Sequence, residues 1–119
     1  MSEEKLTEKV KQYSPLTETT FYILISLVDP LHGYGIITKV EAMTAGRVKL
    51  AAGTLYGALN TLLKNDLIER IGEDPENPRR IIYQITLLGK LLIDFEIKRL
   101  KNMWEDGIQE RNRAREEDL

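Results

Sequence analysis

The sequence predicts a mainly α-helical chain with one small β-hairpin and a long final helix. Apolar residues follow a helical period over most of the 119 residues. Between residues 67 and 85 the period becomes that of strands, on either side of a loop rich in turn residues. After residue 86 the helical period returns and continues to about residue 113.

Two helices are predicted before residue 30. The first covers residues 3–12, and its apolar side carries Leu6, Val10 and Tyr13. Ser14-Pro15 interrupts the helical pattern, because the residue before a proline disfavours the helical conformation. Thr17 is the expected N-cap of the second helix, which continues to Val28 and stops at Asp29-Pro30. This helix is apolar on most sides, so we expect it to be the most buried.

A turn at residues 32–35 leads into a third helix, predicted over residues 34–44. We expect His32 to cap or pack this turn rather than to do chemistry, and Gly46 to close the helix. Residues 47–49 are predicted to be a short extended piece. The fourth helix is predicted over residues 53–65, and its apolar back consists of Leu55, Leu59, Leu62 and Leu63.

The hairpin and the last helix complete the chain. Residues 67–71 and 79–85 are the predicted strands, and residues 72–78 are the predicted loop. Thr86 is the expected N-cap of the last helix, which extends from Leu87 to about Arg113. This order of elements is that of a winged helix-turn-helix with an added C-terminal helix. We therefore divide the chain into a winged helix-turn-helix with its N-terminal helix, residues 1–85, and a dimerisation helix with a charged tail, residues 86–119.

In such a fold the fourth helix is the recognition helix and the hairpin is the wing. A recognition helix needs an apolar back that packs on the domain and a small or polar front that approaches DNA bases. The front predicted here carries Gly53, Thr54, Gly57, Asn60, Thr61 and Lys64. The two glycines allow the backbone to approach DNA closely, and the hydroxyl, amide and ammonium groups can bind phosphates or base edges.

Further DNA-binding candidates lie outside that front. They are Tyr56 on the same helix, Tyr34 and Lys39 on the third helix, and the adjacent Arg79 and Arg80 in the wing. The alternative is that these are ordinary solvated side chains. The acidic loop at residues 73–76 also argues against a wing tip that lies on phosphates, unless the tip points away.

Composition excludes several classes of function. The chain has no cysteine, which excludes disulfides and thiolate metal sites, and its one histidine excludes a His-rich metal site. The polar N-terminus is not a signal peptide, and no stretch approaches the roughly 20 apolar residues of a membrane span. We expect an intracellular, soluble protein without cofactors, metals or enzymatic chemistry. Its net charge of −2 means that DNA binding must depend on a local patch.

The last helix carries an apolar stripe made of Ile93, Ile97, Leu100, Trp104 and Ile108. A helix that projects from a small domain cannot leave such a stripe in water, and the same helix of a second copy is the simplest partner. Leu6 and Val10 are expected to complete this dimer interface. The densely charged tail, residues 110–119, is expected to fray.

Four segments together resemble the PadR family of bacterial transcriptional repressors, in its short-form subgroup. They are Leu31-His32-Gly33-Tyr34, the block at residues 53–59, Leu67-Ile68 at the opening of the wing, and the block at residues 79–89. The Gly-Thr-Leu-Tyr block followed by Tyr-x-x-Thr-x-x-Gly is fairly specific. The sequence departs from the family at Ala51-Ala52, where a Ser-Pro-like helix start is usual, at Gly35, where an acidic residue is common, and in its acidic wing loop.

The resemblance implies a homodimeric, cytoplasmic repressor that binds a pseudo-palindromic operator in double-stranded DNA, where it would be associated with the nucleoid. In some short-form members an aromatic residue on the last helix lines a pocket that takes flat apolar compounds. The matching candidates are Phe95, Met103 and Trp104, although Trp104 is also explained as simple interface core. The main alternative function is a winged-helix protein-interaction module whose acidic wing docks a basic partner. An enzyme is least favoured, because the sequence has no nucleophile–base pair and no phosphate-binding glycine loop.

Overall fold

The computed structural model describes residues 2–118 and contains five helices and one antiparallel hairpin. Met1 and Leu119, the ends of the two predicted units, lie outside the described residues. In chain order the elements are α1 (Glu3–Tyr13), α2 (Glu18–Ser26), α3 (Gly33–Met43), α4 (Ala52–Lys64), β1 (Ile68–Asp74), β2 (Asn77–Ile85) and α5 (Leu87–Asp118). The predicted winged helix-turn-helix with a long final helix is therefore confirmed.

Side-chain caps begin four of the five helices that the structure describes. At the start of α1, Ser2 Oγ accepts a hydrogen bond from the Lys5 amide at 3.3 Å. Thr17 Oγ1 accepts a hydrogen bond from the Thr20 amide at 3.2 Å, and Thr86 Oγ1 accepts one from the Gly89 amide at 3.1 Å. His32 Nδ1 accepts the Gly35 amide at 3.1 Å, so its predicted capping role is confirmed. Ala51, at the start of α4, makes no such bond. α4 thus begins with backbone amides that no capping side chain satisfies.

The connection from α3 to α4 depends on left-handed backbone. α3 ends at Met43, and Ala45 and Gly46 have φ angles of 51° and 80°. The Gly46 amide donates to the Glu41 carbonyl at 2.8 Å, which closes the helix as predicted. Residues 47–49, expected to be extended, form an irregular connection instead.

The hairpin is longer than the sequence predicted. Ile68 pairs with Ile85 and Asp74 pairs with Asn77, so only Pro75 and Glu76 remain between the strands. The predicted loop at residues 72–78 was wrong, because backbone pairing does not require the apolar alternation on which the prediction rested. Two irregularities in the register and Gly72 at φ 146° allow polar residues to continue the ladder.

An isolated β-bridge joins the wing to the segment that precedes α3. The Leu31 amide donates to the Tyr83 carbonyl at 3.1 Å, and the Tyr83 amide donates back at 2.9 Å. Leu31 directly precedes the His32 cap of α3. The wing therefore has a backbone connection to the start of α3, and no periodicity in the sequence could reveal a bridge of one residue.

One core holds the domain together. α2, α3 and α4 contribute the most buried side chains, and the hairpin and α5 close the core from the other side; the fully buried members include Ile23, Leu24, Leu27, Ile36, Val40, Leu55, Leu59, Leu67 and Leu92. Gly89 allows α5 to approach the hairpin, because a Cβ there would lie 2.2 Å from the Leu67 carbonyl oxygen. The packing thereby orients α4 with its apolar back inward.

A buried carboxylate joins α5 to the α1–α2 connection. Glu96 is fully buried and accepts hydrogen bonds from Ser14 Oγ at 2.8 Å, from the Leu16 amide and from Arg99 Nε at 2.5 Å. Burial by itself raises the pKa of the Glu96 carboxyl, but the bonds from Arg99, Leu16 and Ser14 outweigh it and lower the pKa below its ordinary value. This cluster, which the sequence did not reveal, holds α1 and α2 in place on α5.

Candidate DNA-binding surface

One ridge of α4 faces solvent along its whole length. Gly53, Gly57, Asn60 and Lys64 (the α4 ridge) are all exposed and recur at the spacing of one helix face. The opposite face, led by Leu55, is buried in the core. The predicted division of this helix into an apolar back and a small, polar front is therefore present in the fold.

The two glycines of the α4 ridge have no packing role in the protomer. A Cβ built on Gly53 or Gly57 meets no atom within 4 Å, and neither residue has a positive φ. A glycine inside a helix costs up to about 1 kcal/mol relative to alanine. Nothing in the protomer explains this cost at two positions one turn apart, whereas a molecule that approaches the helix backbone closely would.

Tyr56 connects α4 to the start of α3. Its side chain is 49% exposed, and a Cβ on Gly33 would lie 2.5 Å from Tyr56 Oη. The phenol therefore lies across the first turn of α3, in space that only a glycine leaves open. A small cleft of about 150 Å³ is found there, and its walls include Gly33, Tyr34, Tyr56, Arg79, Arg80 and Tyr83. Four residues predicted to bind DNA, two tyrosines and two arginines that are distant in sequence, thus line one cleft (the α3–wing cleft).

A carboxylate that the sequence analysis did not single out also faces this region. Asp74 Oδ2 lies 4.0 Å from Arg80 Nη1 and 3.9 Å from His32 Nε2. The Asp74 side chain is only 13% exposed, unlike its exposed neighbours in the wing. The Arg80 guanidinium also lies 6.0 Å from the centroid of the Tyr34 ring. Asp74 was missed because the sequence shows an acidic loop and not which of its carboxylates turns inward.

Other predicted DNA-binding residues differ in their surroundings. Thr54 is exposed on the flank of α4, as is Thr61, whose hydroxyl donates to the Gly57 carbonyl at 3.2 Å. Lys39 has partners within the protein: its ammonium donates to the Ser26 carbonyl at 3.0 Å and pairs with Asp29 at 3.3 Å. The structure gives Lys39 the role of a cation at the end of α2, which the amphipathic pattern of α3 could not reveal.

The apolar stripe of α5 is exposed in the part that leaves the body. Ile97, Leu100, Trp104 and Ile108 (the α5 stripe) are between 41% and 66% exposed. Ile93 and Val10 were expected at a dimer interface, but both are buried within the protomer and have little surface left for a partner. Ile93 lies where α5 crosses the helical core, and Val10 lies where α1 packs on α5.

The three residues of the predicted ligand pocket do not meet within one protomer. Phe95 packs toward α1 and lines a groove of about 690 Å³ together with Leu6, Leu87 and Leu91. Met103 and Trp104 are exposed beyond the body. Phe95 and Trp104 are nine positions apart, about two and a half helical turns, so they point to opposite sides of α5.

Membrane spans and metal clusters are both absent from the described part of the chain. Between residues 2 and 118, no helix is long and apolar enough to cross a membrane. Among the described side chains, those of residues 2–115 and 117, no three His, Cys, Asp or Glu groups lie together so that they could hold a metal ion.

A helical core with a hairpin wing, and with an open ridge on the helix before the wing, defines a winged helix-turn-helix regulator of transcription. Residues 21–94 match the model of the transcriptional regulator PadR-like family. The chain therefore belongs to the PadR-like family, whose members are DNA-binding transcriptional regulators.

Solved structures share the fold at low sequence identity. A mutant of S. aureus MepR superposes with a TM-score of 0.65 and 20% identity, over 98% of this chain and 83% of that one. A transcriptional regulator from Clostridium thermocellum has a TM-score of 0.58 and 23% identity, over 95% and 96%. Bordetella bronchiseptica BpsR, whose DNA binding is described as regulated by 6-hydroxynicotinic acid, has a TM-score of 0.61 and 16% identity, over 87% and 75%. These similarities establish the fold alone.

One curated protein is similar over a single segment. The β subunit of phenylalanine–tRNA ligase from Nitratidesulfovibrio vulgaris is 34% identical over 73 residues. The match covers 56% of this chain and 9% of the ligase subunit. The chain thus spans only a small fraction of that protein's length.

Proposed function

We propose that the protein is a homodimeric repressor that binds an inverted-repeat operator with the α4 ridge in the major groove. The observation that carries this proposal is the pair of glycines on the ridge, because their missing side chains serve no purpose inside the protomer. Gly53 and Gly57 would allow the helix backbone to approach the bases. Asn60 and Lys64 on the same ridge, with Thr54 and Thr61 on its flank, would contact base edges and phosphates.

The α3–wing cleft would hold the DNA backbone beside that groove. Arg79 and Arg80 supply positive charge, and Tyr34 and Tyr56 supply hydroxyl donors, all around one cleft of about 150 Å³. Phosphate oxygens accept hydrogen bonds from all of these groups, and such contacts set the register of a protein on the duplex. Arg79 and Arg80 thus bring positive charge to one place on a chain whose overall charge is −2.

The α5 stripe supports the homodimer. Trp104 is 66% exposed and Ile108 is 45% exposed on a helix of 32 residues, about 48 Å long, that extends well beyond the body. The groove between α1 and α5 exposes further apolar surface at Leu6 and Leu87. A second copy would cover this surface and place two α4 helices about 34 Å apart, one turn of DNA. The unit that dimerises would then combine α1 with α5, since α1 packs on α5.

An effector would act at the dimer interface. Met103 and Trp104 are exposed next to each other and offer an adaptable thioether and a flat ring. A flat apolar compound held there would release the operator only if it binds better to the dimer form with the wrong spacing of α4 helices. Phe95 would contribute to such a pocket only from the partner copy.

Binding to chromosomal DNA would place the protein in the cytoplasm of a bacterial cell.

The second candidate function is a protein-interaction module. Glu73 and Glu76 are exposed in the wing and would attract a basic partner. In this function the α4 ridge would not contact DNA. Removal of the carboxylates at Glu73 and Glu76 would then abolish binding of the protein partner.

Selection of bound duplexes from random DNA by the purified protein tests the proposal. We expect an enriched inverted repeat whose affinity falls steeply between 50 and 200 mM salt, by about 10³-fold or more for six or more phosphate contacts. A protein that enriches no sequence and binds duplex DNA no better than a Gly57→Trp variant would contradict it. A pull-down of basic partners that depends on Glu73 and Glu76 would then favour the second function.

A further inference from the structure

The acidic wing contains one carboxylate that is directed at the DNA-binding surface. Asp74 ends β1, and its side chain is largely buried, whereas Glu73 and Glu76 are exposed. Its Oδ1 accepts the Glu76 amide at 3.0 Å, which leaves Oδ2 facing Arg80 and His32. The turn therefore holds the carboxylate in one orientation, beside a guanidinium expected to bind phosphate.

The two wing arginines differ in this respect. Arg80 pairs with Asp74, whereas Arg79 has no ion-pair partner among the side chains that the structure describes, those of residues 2–115 and 117. Both line the α3–wing cleft. At 4.0 Å, Asp74 Oδ2 lies at ion-pair distance from Arg80 without a hydrogen bond to it. A phosphate diester is attracted to the same guanidinium, so the Asp74 carboxylate offsets the positive charge that Arg80 would offer to DNA.

From this geometry, and on the basis of the proposed function, we infer that Asp74 competes with the DNA backbone for Arg80 and thereby limits binding to non-operator DNA. A phosphate reaches Arg80 only when it displaces Asp74 or binds beside its negative charge. An operator that docks both the α4 ridge and the wing makes enough other contacts to do this. A random duplex, held by phosphate contacts alone, loses a larger share of its binding.

The test compares Asp74→Asn with Glu76→Gln, which removes the same charge at an exposed position of the same wing. Asn retains an oxygen for the Glu76 amide, so we expect the turn to remain intact. A labelled 30-base-pair duplex of mixed sequence is the probe, at one pH because His32 also faces Asp74. We expect Asp74→Asn to bind this duplex about two- to fivefold more tightly, the range of a partly exposed ion pair. Its salt dependence should steepen by up to about 0.9 in the slope of log K against log salt. Glu76→Gln should change affinity less than half as much.

Two arginine backgrounds identify the partner. Asp74→Asn should lose its effect when Arg80 is replaced by Gln and keep it when Arg79 is replaced by Gln. Weaker binding by Asp74→Asn would overturn the inference, because Asp74 would then orient Arg80 for DNA rather than compete with it. Equal effects of Asp74→Asn and Glu76→Gln on DNA affinity would also overturn it, because the net charge of the wing would then explain both. Absence of DNA binding by the wild type and by every variant would instead overturn the proposed function. Thermal unfolding of each variant verifies that it folds.

Discussion

The phenol of Tyr56 occupies the space that a side chain on Gly33, in the first turn of α3, would fill. A Cβ on Gly33 would lie 2.5 Å from Tyr56 Oη. This relationship places a hydroxyl of α4 at the α3–wing cleft. It also explains why Gly33 directly follows the His32 cap, where most residues would fit the backbone equally well.

Replacement of Gly33 by Ala should move Tyr56 out of this position without unfolding the protein. Tyr56 is half exposed and can swing aside, so the free energy of unfolding should change by less than about 1 kcal/mol. DNA affinity should fall about three- to tenfold, the value of a lost hydrogen bond. Fluorescence anisotropy measures this, with Gly35→Ala as the control. Its Cβ would lie 3.3 Å from the flexible end of Leu31 and at ordinary contact distance, 3.6 Å, from His32 Cε1 and Leu31 Cβ. An equal loss in both variants would mean that Tyr56 is not involved.

A substitution at Gly57 should raise the stability of the protein and at the same time weaken its binding to DNA. The Gly57→Ala change meets no atom in the protomer and should raise the free energy of unfolding by about 0.5–1 kcal/mol. If the backbone of the α4 ridge lies against DNA, the added methyl group should weaken operator binding at least about tenfold, or 1.4 kcal/mol. Urea unfolding and anisotropy measure the two effects.

Gly107→Ala provides the matched control for Gly57→Ala. It makes the same change at an open helical position on α5, far along the chain from the α4 ridge. We expect it to stabilise the protein as well and to leave DNA affinity within about twofold, below 0.5 kcal/mol. Unchanged DNA binding by Gly57→Ala would argue against close contact of this ridge with DNA.

A charge on the α5 stripe should dissociate the dimer. Ile108 is outside the protomer core, so Ile108→Asp should leave the folded protomer intact and shift its mass in sedimentation to that of a monomer. Operator affinity should fall about 100-fold, because the two half-sites no longer bind together. The Trp104 emission maximum should move to longer wavelength as the indole enters water.

Asn102→Asp is the control for the dimer experiment, since it adds the same charge on α5 away from the stripe. It should remain dimeric. A wild-type protein that is monomeric at all concentrations, or a dimer that tolerates Ile108→Asp, would refute the proposed interface.

Glu96 should make the stability of the protein sensitive to acid. The pKa of Glu96 is lower in the folded state than its ordinary value of 4.5. The contribution of the ionised carboxylate to the free energy of unfolding is therefore fully present above pH 4.5, and it is lost as the pH falls through the lower pKa of the folded state. Glu96→Gln should therefore cost about 2 kcal/mol at pH 7, where its charged hydrogen bonds are formed. The difference from the wild type should shrink below about pH 4. Urea unfolding at both pH values checks this, and a constant difference would exclude ionisation as the cause.

Much of the fold and part of the candidate surface could be predicted from local pattern. The apolar spacing of α4 defines its buried back and, by subtraction, the ridge that carries Gly57 and Asn60. The caps at Thr17 and Thr86 are local too, because the hydroxyl and the amide that it binds are three residues apart. The ion pair of Lys39 was not predictable, since its partner Asp29 lies in the connection between α2 and α3 and not on the same helix.

The sequence by itself determined which segments are helical, where the period changes and which face of each helix is apolar, because these properties depend on neighbours within a few residues. Only the tertiary structure decided which polar groups meet. Asp74 faces Arg80, and Glu96 faces Ser14 across 82 positions of the chain. Such pairs depend on how the helices and the wing pack together. If these elements packed differently, the same carboxylate would be an ordinary charge on the surface. The same packing buried Val10 and Ile93 and left Trp104 in solvent.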